Sequence, residues 1–239
     1  MWWSTRPTAP VYRRGRPPRS LEPIVGLALE ILEEVGTDAF SMRLLADRLG
    51  SGTATLYRHL AGKDELMVYV VDRILGEVDL EPDADTLGSR TWQQATAHGA
   101  GALYEVLKKH PNALPLLVSQ VPVGPNAMAI RERSLAVLLA CGFPLDLAAR
   151  AYTAVGHYAV GFASQQHAPG APRREDAAGL RDFYRALDAE AYPATVAAAD
   201  ELTGVPLDEE FRFGLQLVLD GIERARKAAV ARAAPAVAR

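Results

Sequence analysis

Apolar residues recur along nearly the whole chain at the spacing of one helix face. In LEPIVGLALEILEEVG, Ile24, Leu27, Ala28, Ile31, Leu32 and Val35 fall at i, i+3, i+4, i+7, i+8 and i+11, with Glu30, Glu33 and Glu34 opposite. Gly36 predicts the end of that helix. Ser41 can cap a second helix whose apolar face is Leu44, Leu45 and Leu49, and Gly50 supplies the turn after it. A third, short helix is predicted from about Thr53 to Leu60, closed by Gly62. A fourth starts at Lys63. Asp64 and Glu65 suit the positive end of its dipole, and Leu66, Met67, Val70, Val71 and Ile74 form its apolar face.

The stretch LEPDADTLGSR breaks the pattern, and past it the helices lengthen. They are predicted at about 90 to 109, 111 to 119, 126 to 141, 145 to 167, 176 to 190 and 208 to 230, with QQHAPGAPRRED a mobile loop and residues 231–239 a flexible tail. Strand-type alternation, hairpin signals and internal repeats are missing from this reading. The expected fold class is all-α: a three-helix module within residues 21–80, joined by the fourth helix to a larger helical domain over 81–230.

Composition adds a core and a charge asymmetry. With 239 residues, 49% of them hydrophobic, the chain can bury a sizeable interior. The net charge of −3 argues against a generic nucleic-acid binder, but its distribution is uneven. Residues 1–63 carry nine Lys and Arg against six Asp and Glu, a balance of +3, and the remainder carries −6. Residues 1–20 form a basic arm with five Arg and no acid, and its segment RRGRPPR, with Arg13, Arg14, Arg16 and Arg19, looks like an AT-hook that lies in a narrow minor groove. A solvated, disordered tail is the competing reading of that arm. Cys141 stands alone, so no disulfide framework is expected, and it reads as a small hydrophobe. Without a membrane-length apolar run or a signal-type N-terminus, a cytoplasmic location is expected.

The second and third helices, with the glycine turn between them, match the arrangement that pushes a helix into a major groove. Leu56 and Leu60 are expected to turn inward, leaving Ala54, Thr55, Arg58 and His59 to face base edges. An arginine can fork onto guanine O6 and N7, and Ala54 or the Thr55 methyl can touch a thymine methyl. Ser41, Arg43, Thr53 and Tyr57 carry hydroxyl and cationic groups suited to phosphates, and Lys63 at the start of the fourth helix is expected to clamp another. The partner implied is double-stranded DNA.

Residues 21–75 resemble the DNA-binding domain of the tetracycline-repressor (TetR) family through ALEILEEVGTDAFSMRLLADRLGSGTATLYRHLAGKDEL. Further on, KKHPNALPLL, VGPNAMAIRERSLAVLLACGF, AARAYTAVGHYAVGFASQQ and DEEFRFGLQLVLDGIERA are similar to the C-terminal domain of the tetracycline-repressor subgroup, so the resemblance covers about residues 21 to 226. It implies a ligand-binding and dimerisation domain, a homodimer, and paired recognition helices that hold a palindromic operator until a small-molecule effector changes their separation.

Two late helices carry stripes suited to close packing. Phe211, Leu215, Val218, Leu219 and Ile222 form one, with Gly214 and Gly221 two turns apart; Tyr152, Val155, Ala159 and Phe162 form another, near Gly156 and Gly161. Periodicity alone fits either intrachain core or a partner surface, and the resemblance favours a dimer interface. It also places Trp92, His98, Leu103, Leu117, Gln120, His157 and Phe162 on the helices that enclose the subgroup's pocket. Leu117 stands where the tetracycline repressor has a metal-coordinating His, so a magnesium-chelated tetracycline is not expected, nor is a metal site or cofactor. An enzyme using His98 or His157 as base lacks an accompanying nucleophile motif, phosphate loop or carboxylate pair, and no catalysis is expected. A nonspecific architectural DNA protein acting through the arginine arm is the alternative function.

Overall fold

The computed structural model describes residues 21–79, 90–119, 121–166 and 176–233. The basic arm with Arg13, Arg14, Arg16 and Arg19, Gln120, most of the expected mobile loop and residues 234–239 lie outside them. The described residues are helical without a strand, so the fold is all-α.

Helix α1 (Glu22–Ala39) breaks at Gly36, whose φ of 77° is the left-handed geometry that glycine adopts without a Cβ clash. Helix α2 (Met42–Arg48) is capped by Ser41, whose Oγ accepts from the Leu44 N–H at 3.2 Å. Gly50, at φ 61°, turns the chain into α3 (Thr53–Tyr57), and α4 (Lys63–Leu75) follows. The buried apolar side chains of α1 and α4 enclose Leu45 of α2, Leu56 of α3 and Leu60, which lies past the end of α3 at Tyr57 rather than within the helix expected to reach it, giving a three-helix core closed by the fourth.

The larger body begins at α5 (Trp92–Lys109). Thr91 and Gln94 form a reciprocal capping box at its start. A 3-10 turn at Pro111–Ala113 leads into α6 (Leu114–Ser119), followed by α7 (Pro125–Ala140) and α8 (Leu145–Gln166). Then come α9 (Ala177–Arg185), α10 (Pro193–Ala197), α11 (Ala199–Gly204) and the long α12 (Leu207–Ala233). Short α10 and α11 were not expected: each is about one turn, too brief for a helical period to register. The helix expected over 176–190 ends at Arg185, and the last helix runs on through residues assigned to the tail.

The stripe expected to meet a second chain is buried inside one chain instead. Val155, Ala159, Phe211, Leu215 and Leu219 belong to the core between α8 and α12, and Tyr152, Val218 and Ile222 pack against it. The aromatic rings explain why. Phe211 stacks on Tyr104 at 4.0 Å between centroids and sits 5.5 Å from Phe162, and Tyr158 donates to the Phe211 carbonyl at 2.9 Å. A Cβ at Gly214 would collide with the Tyr158 hydroxyl, so this glycine permits a close approach within the chain rather than between chains. The faces that α12 leaves to solvent carry other residues, Phe213 and Leu217, at 67% and 54% exposure.

Candidate DNA-reading surface and effector cavity

Helix α3 stands on two buried leucines, Leu56 and Leu60, which anchor it to the module's core. That anchoring decides which side chains reach outward. Thr53, Ala54, Tyr57, Arg58 and His59 are exposed, and Thr55 is half-buried. The Arg58 guanidinium donates to Thr55 Oγ1 at 3.3 Å, so Thr55 orients the arginine as well as flanking it. Ser41 and Arg43 are exposed on the same module, with the Ser41 oxygen occupied as a cap acceptor and its O–H left to donate. Arg48 is committed elsewhere: it grips Glu34 at 2.6 Å, and this pair holds the Glu34 carboxyl below its ordinary range.

Lys63 has a different geometry from the phosphate clamp that its position suggested. Its ammonium is half-buried, donates to the carbonyls of Phe40 at 2.9 Å and Thr37 at 3.3 Å, and lies 5.5 Å from the Phe40 ring centroid. It ties the start of α4 to the corner between α1 and α2. An ammonium has three donors, and these two carbonyls use two of them.

The larger body encloses a cavity of about 900 Å³. Trp92, His98, Leu103, Leu117 and His157 line it, as expected for the pocket. Phe162 does not: it belongs to the aromatic cluster with Tyr104, Tyr158 and Phe211. Tyr152, Val155 and Ile222, expected at the dimer interface, line the cavity instead. Helices α5, α7 and α8 form the walls, and α4 reaches the cavity through its last residue, Leu75, and through Val78 in the turn beyond it. Trp92 is fixed from both sides, by an edge contact with Phe143 at 4.9 Å and by donating its indole N–H to Glu223 at 3.2 Å. Hydrogen bonding from Arg226, its main cause, brings the Glu223 carboxyl down to about 2.

Sequence reasoning passed over the residues that join the two parts. Asp72 of α4 is 4% exposed, and its carboxylate accepts from the Ala127 N–H at 3.0 Å and from the Asn126 N–H and side-chain amide at 3.3 and 3.2 Å. Asn126 also donates to the Asp72 carbonyl at 2.9 Å. A DNA-module helix thereby caps the N-terminus of a cavity wall, with its anion at the positive end of α7. Burial nevertheless raises the Asp72 pKa above its ordinary value, outweighing these hydrogen bonds. A Cβ on Gly124 would strike the Asp72 side chain, and one on Gly76 would strike Asn126. A second brace is His110, whose Nδ1 lies 3.2 Å from Glu33 and Nε2 3.1 Å from Glu77, while Asn112 donates to the Glu33 carbonyl at 2.7 Å. One signal was legible: Asp72 interrupts the apolar run VYVVDRIL.

Among the described residues no cluster of three or more His, Cys, Asp or Glu could hold a metal ion, and no helix is long and apolar enough to cross a membrane.

Known proteins share this organisation. Residues 24–70 match the family described as "Bacterial regulatory proteins, tetR family", and residues 84–226 match "Tetracyclin repressor-like, C-terminal domain". The HTH-type transcriptional repressor DrrR1 of Streptomyces coeruleorubidus is 33% identical over 222 residues, covering 88% of this chain and 80% of the relative. The tetracycline repressor protein class G of Vibrio anguillarum is 28% identical, covering 87% and 95%. Among solved structures, the TetR family protein ActR of Streptomyces coelicolor in complex with actinorhodin superposes with a TM-score of 0.76 at 29% identity, covering 87% of this chain and 99% of that one.

Proposed function

The chain belongs to the tetR family of bacterial regulatory proteins, and from that membership we propose that it is a homodimeric repressor which holds a palindromic operator with two α3 helices and lets go when a small organic effector fills the cavity. It is a DNA-binding transcriptional regulator of the helix-turn-helix class. The observation that carries the finer reading is the α3 segment, where Ala54 and Tyr57 on the helix and Arg58 and His59 in the turn that follows project from a support pinned by Leu56 and Leu60. Such a face offers donors to base edges and phosphates from a fixed support.

Helix α4 supplies the link from cavity to DNA. Its 13 residues span about 20 Å, with Leu75 near the cavity end and Lys63 tying the other end to the corner between α1 and α2. An effector pressing on Leu75 and Val78, or on α7 through the Asp72 cap, displaces the far end of this lever. Two copies carrying such levers would change the separation of their α3 helices, which a palindrome senses as lost register. That ActR, a structural relative, is known with actinorhodin supports an organic effector here.

The exposed apolar residues of α12, Phe213 and Leu217, support a contact with a second copy. So does the unit formed by α9, α10 and α11, which leaves Phe183, Tyr192 and Leu202 exposed. Arg181 and Arg185 converge on Asp200 to hold that unit together, Arg185 at 2.7 Å.

Footprinting on the DNA flanking the protein's own gene, at low and moderate salt, tests the reading. A discrete protected palindrome that survives moderate salt is the expected result. Diffuse protection that vanishes with salt would replace the repressor by a nonspecific binder acting through its phosphate contacts.

A further inference from the structure

Among the described residues that line the cavity, every charged side chain is basic. Arg90, Arg131 and Arg133 line it together with His98 and His157, and among the described lining residues there is no carboxylate. Arg131 is the informative member. It is half-buried on α7, and its guanidinium donates to the Pro122 carbonyl at 3.2 Å and to the Met128 sulfur at 3.3 Å, with the Tyr152 ring centroid 5.9 Å away. All three partners are neutral. They fix the direction of the guanidinium without cancelling its charge, which no accessible pH removes. The remaining surface is apolar, with Leu103, Leu117, Val155 and Ile222 among its walls. A half-buried guanidinium held in a fixed direction beside apolar walls attracts an anion more strongly than one free in water and repels a cation.

We propose that the effector is an organic anion, a carboxylate or ionised phenol on a large apolar, ring-containing body, with its charged group held at Arg131. The proposal rests on the reading of the cavity as the effector site. A volume of about 900 Å³ accommodates a multi-ring body, and Tyr152 offers such a ring a face to stack on. Thr96 also lines the cavity and adds a hydroxyl that can donate to a further ligand oxygen, whereas Ser119 and Ser134 donate their O–H groups to the Pro115 and Ile130 carbonyls and offer the ligand acceptors only.

The test uses three probes of one shape: anthraquinone-2-carboxylate, its neutral carboxamide and the cationic 2-aminomethyl analogue. Binding to the full-length wild-type protein is followed by quenching of tryptophan fluorescence, Trp92 being in the cavity wall, and release is followed on the footprinted operator. The carboxylate is expected to bind at least tenfold more tightly than the carboxamide, with the amine weakest. Arg131→Gln should abolish that preference while the carboxamide binds as before, and Arg131→Lys should restore part of it. Equal binding of carboxylate and carboxamide by the wild type, preference for the amine, or failure of all three to bind would overturn the proposal whatever the variants do. The effector reading fails separately: selective binding of the carboxylate that leaves the footprint unchanged refutes release from this cavity and leaves the anion site standing.

Discussion

At the scale of single residues, function and support are separated by one position along the chain. Leu56 is buried and Tyr57 is 54% exposed, followed by exposed Arg58, so replacing either of the latter removes an outward group of the proposed DNA-reading face without opening a cavity. Arg58→Ala should lose about 1–3 kcal/mol of specific binding per half-site, roughly five- to 150-fold, with the melting temperature unchanged. Tyr57→Ala should also weaken the operator complex. Wild-type affinity in both, measured by gel shift on the footprinted site, would refute the assignment of α3. Glu223 makes a different prediction. Its carboxyl is held at about 2 against an ordinary 4.5, so the folded state gains stability from its ionised form above pH 4.5 and loses it as pH falls from there through about 2. Urea unfolding of the wild type should therefore weaken more steeply over that window than unfolding of Glu223→Gln. Parallel curves would show that the Arg226 and Trp92 contacts do not set acid stability.

At the scale of elements, the informative contact is between α4 and α7. The Asp72 carboxylate takes two N–H groups at the start of α7, and nothing apolar replaces them. Asp72→Ala should cost about 1–3 kcal/mol through the donors left unpaired, read by chemical denaturation. It should also raise the effector concentration needed for operator release, because α7 then moves without carrying α4. If release occurs at the wild-type concentration, the cap is structural and the lever is driven through Leu75 and Val78 alone. Gly124→Ala approaches the same contact from the other side by driving a methyl into Asp72. The long helices of this chain were legible because their apolar period repeats over several turns, and α10 and α11 were not, having only one turn each. Asp72 shows what periodicity leaves out. A charge on an apolar face is visible in the sequence, but its partner 54 residues away is not.

At the scale of the whole molecule, the proposed dimer is tested on the exposed face of α12. Phe213→Glu with Leu217→Glu places two charges on the exposed face of α12, and the pair should convert the protein to monomers in sedimentation velocity and erase the footprint, with helical content retained. A dimer of wild-type mass would move the interface elsewhere. Local sequence was sufficient for the all-α class, for Ser41, Gly36 and Gly50 at helix ends, and for the outward residues of α3, since each depends on neighbours within a turn or two. The two stripes on α8 and α12 are the contrasting case. Both were visible as apolar faces, but a period says only that a face is covered, not by which helix or which chain. Only the packed structure turned Val155 and Leu215 inward, sent Tyr152 and Ile222 to the cavity, withdrew Phe162 from it and left Phe213 outside. The same packing brought Arg131 to the cavity with neutral partners, because a three-dimensional enclosure and its net charge are sums over segments that the chain keeps far apart.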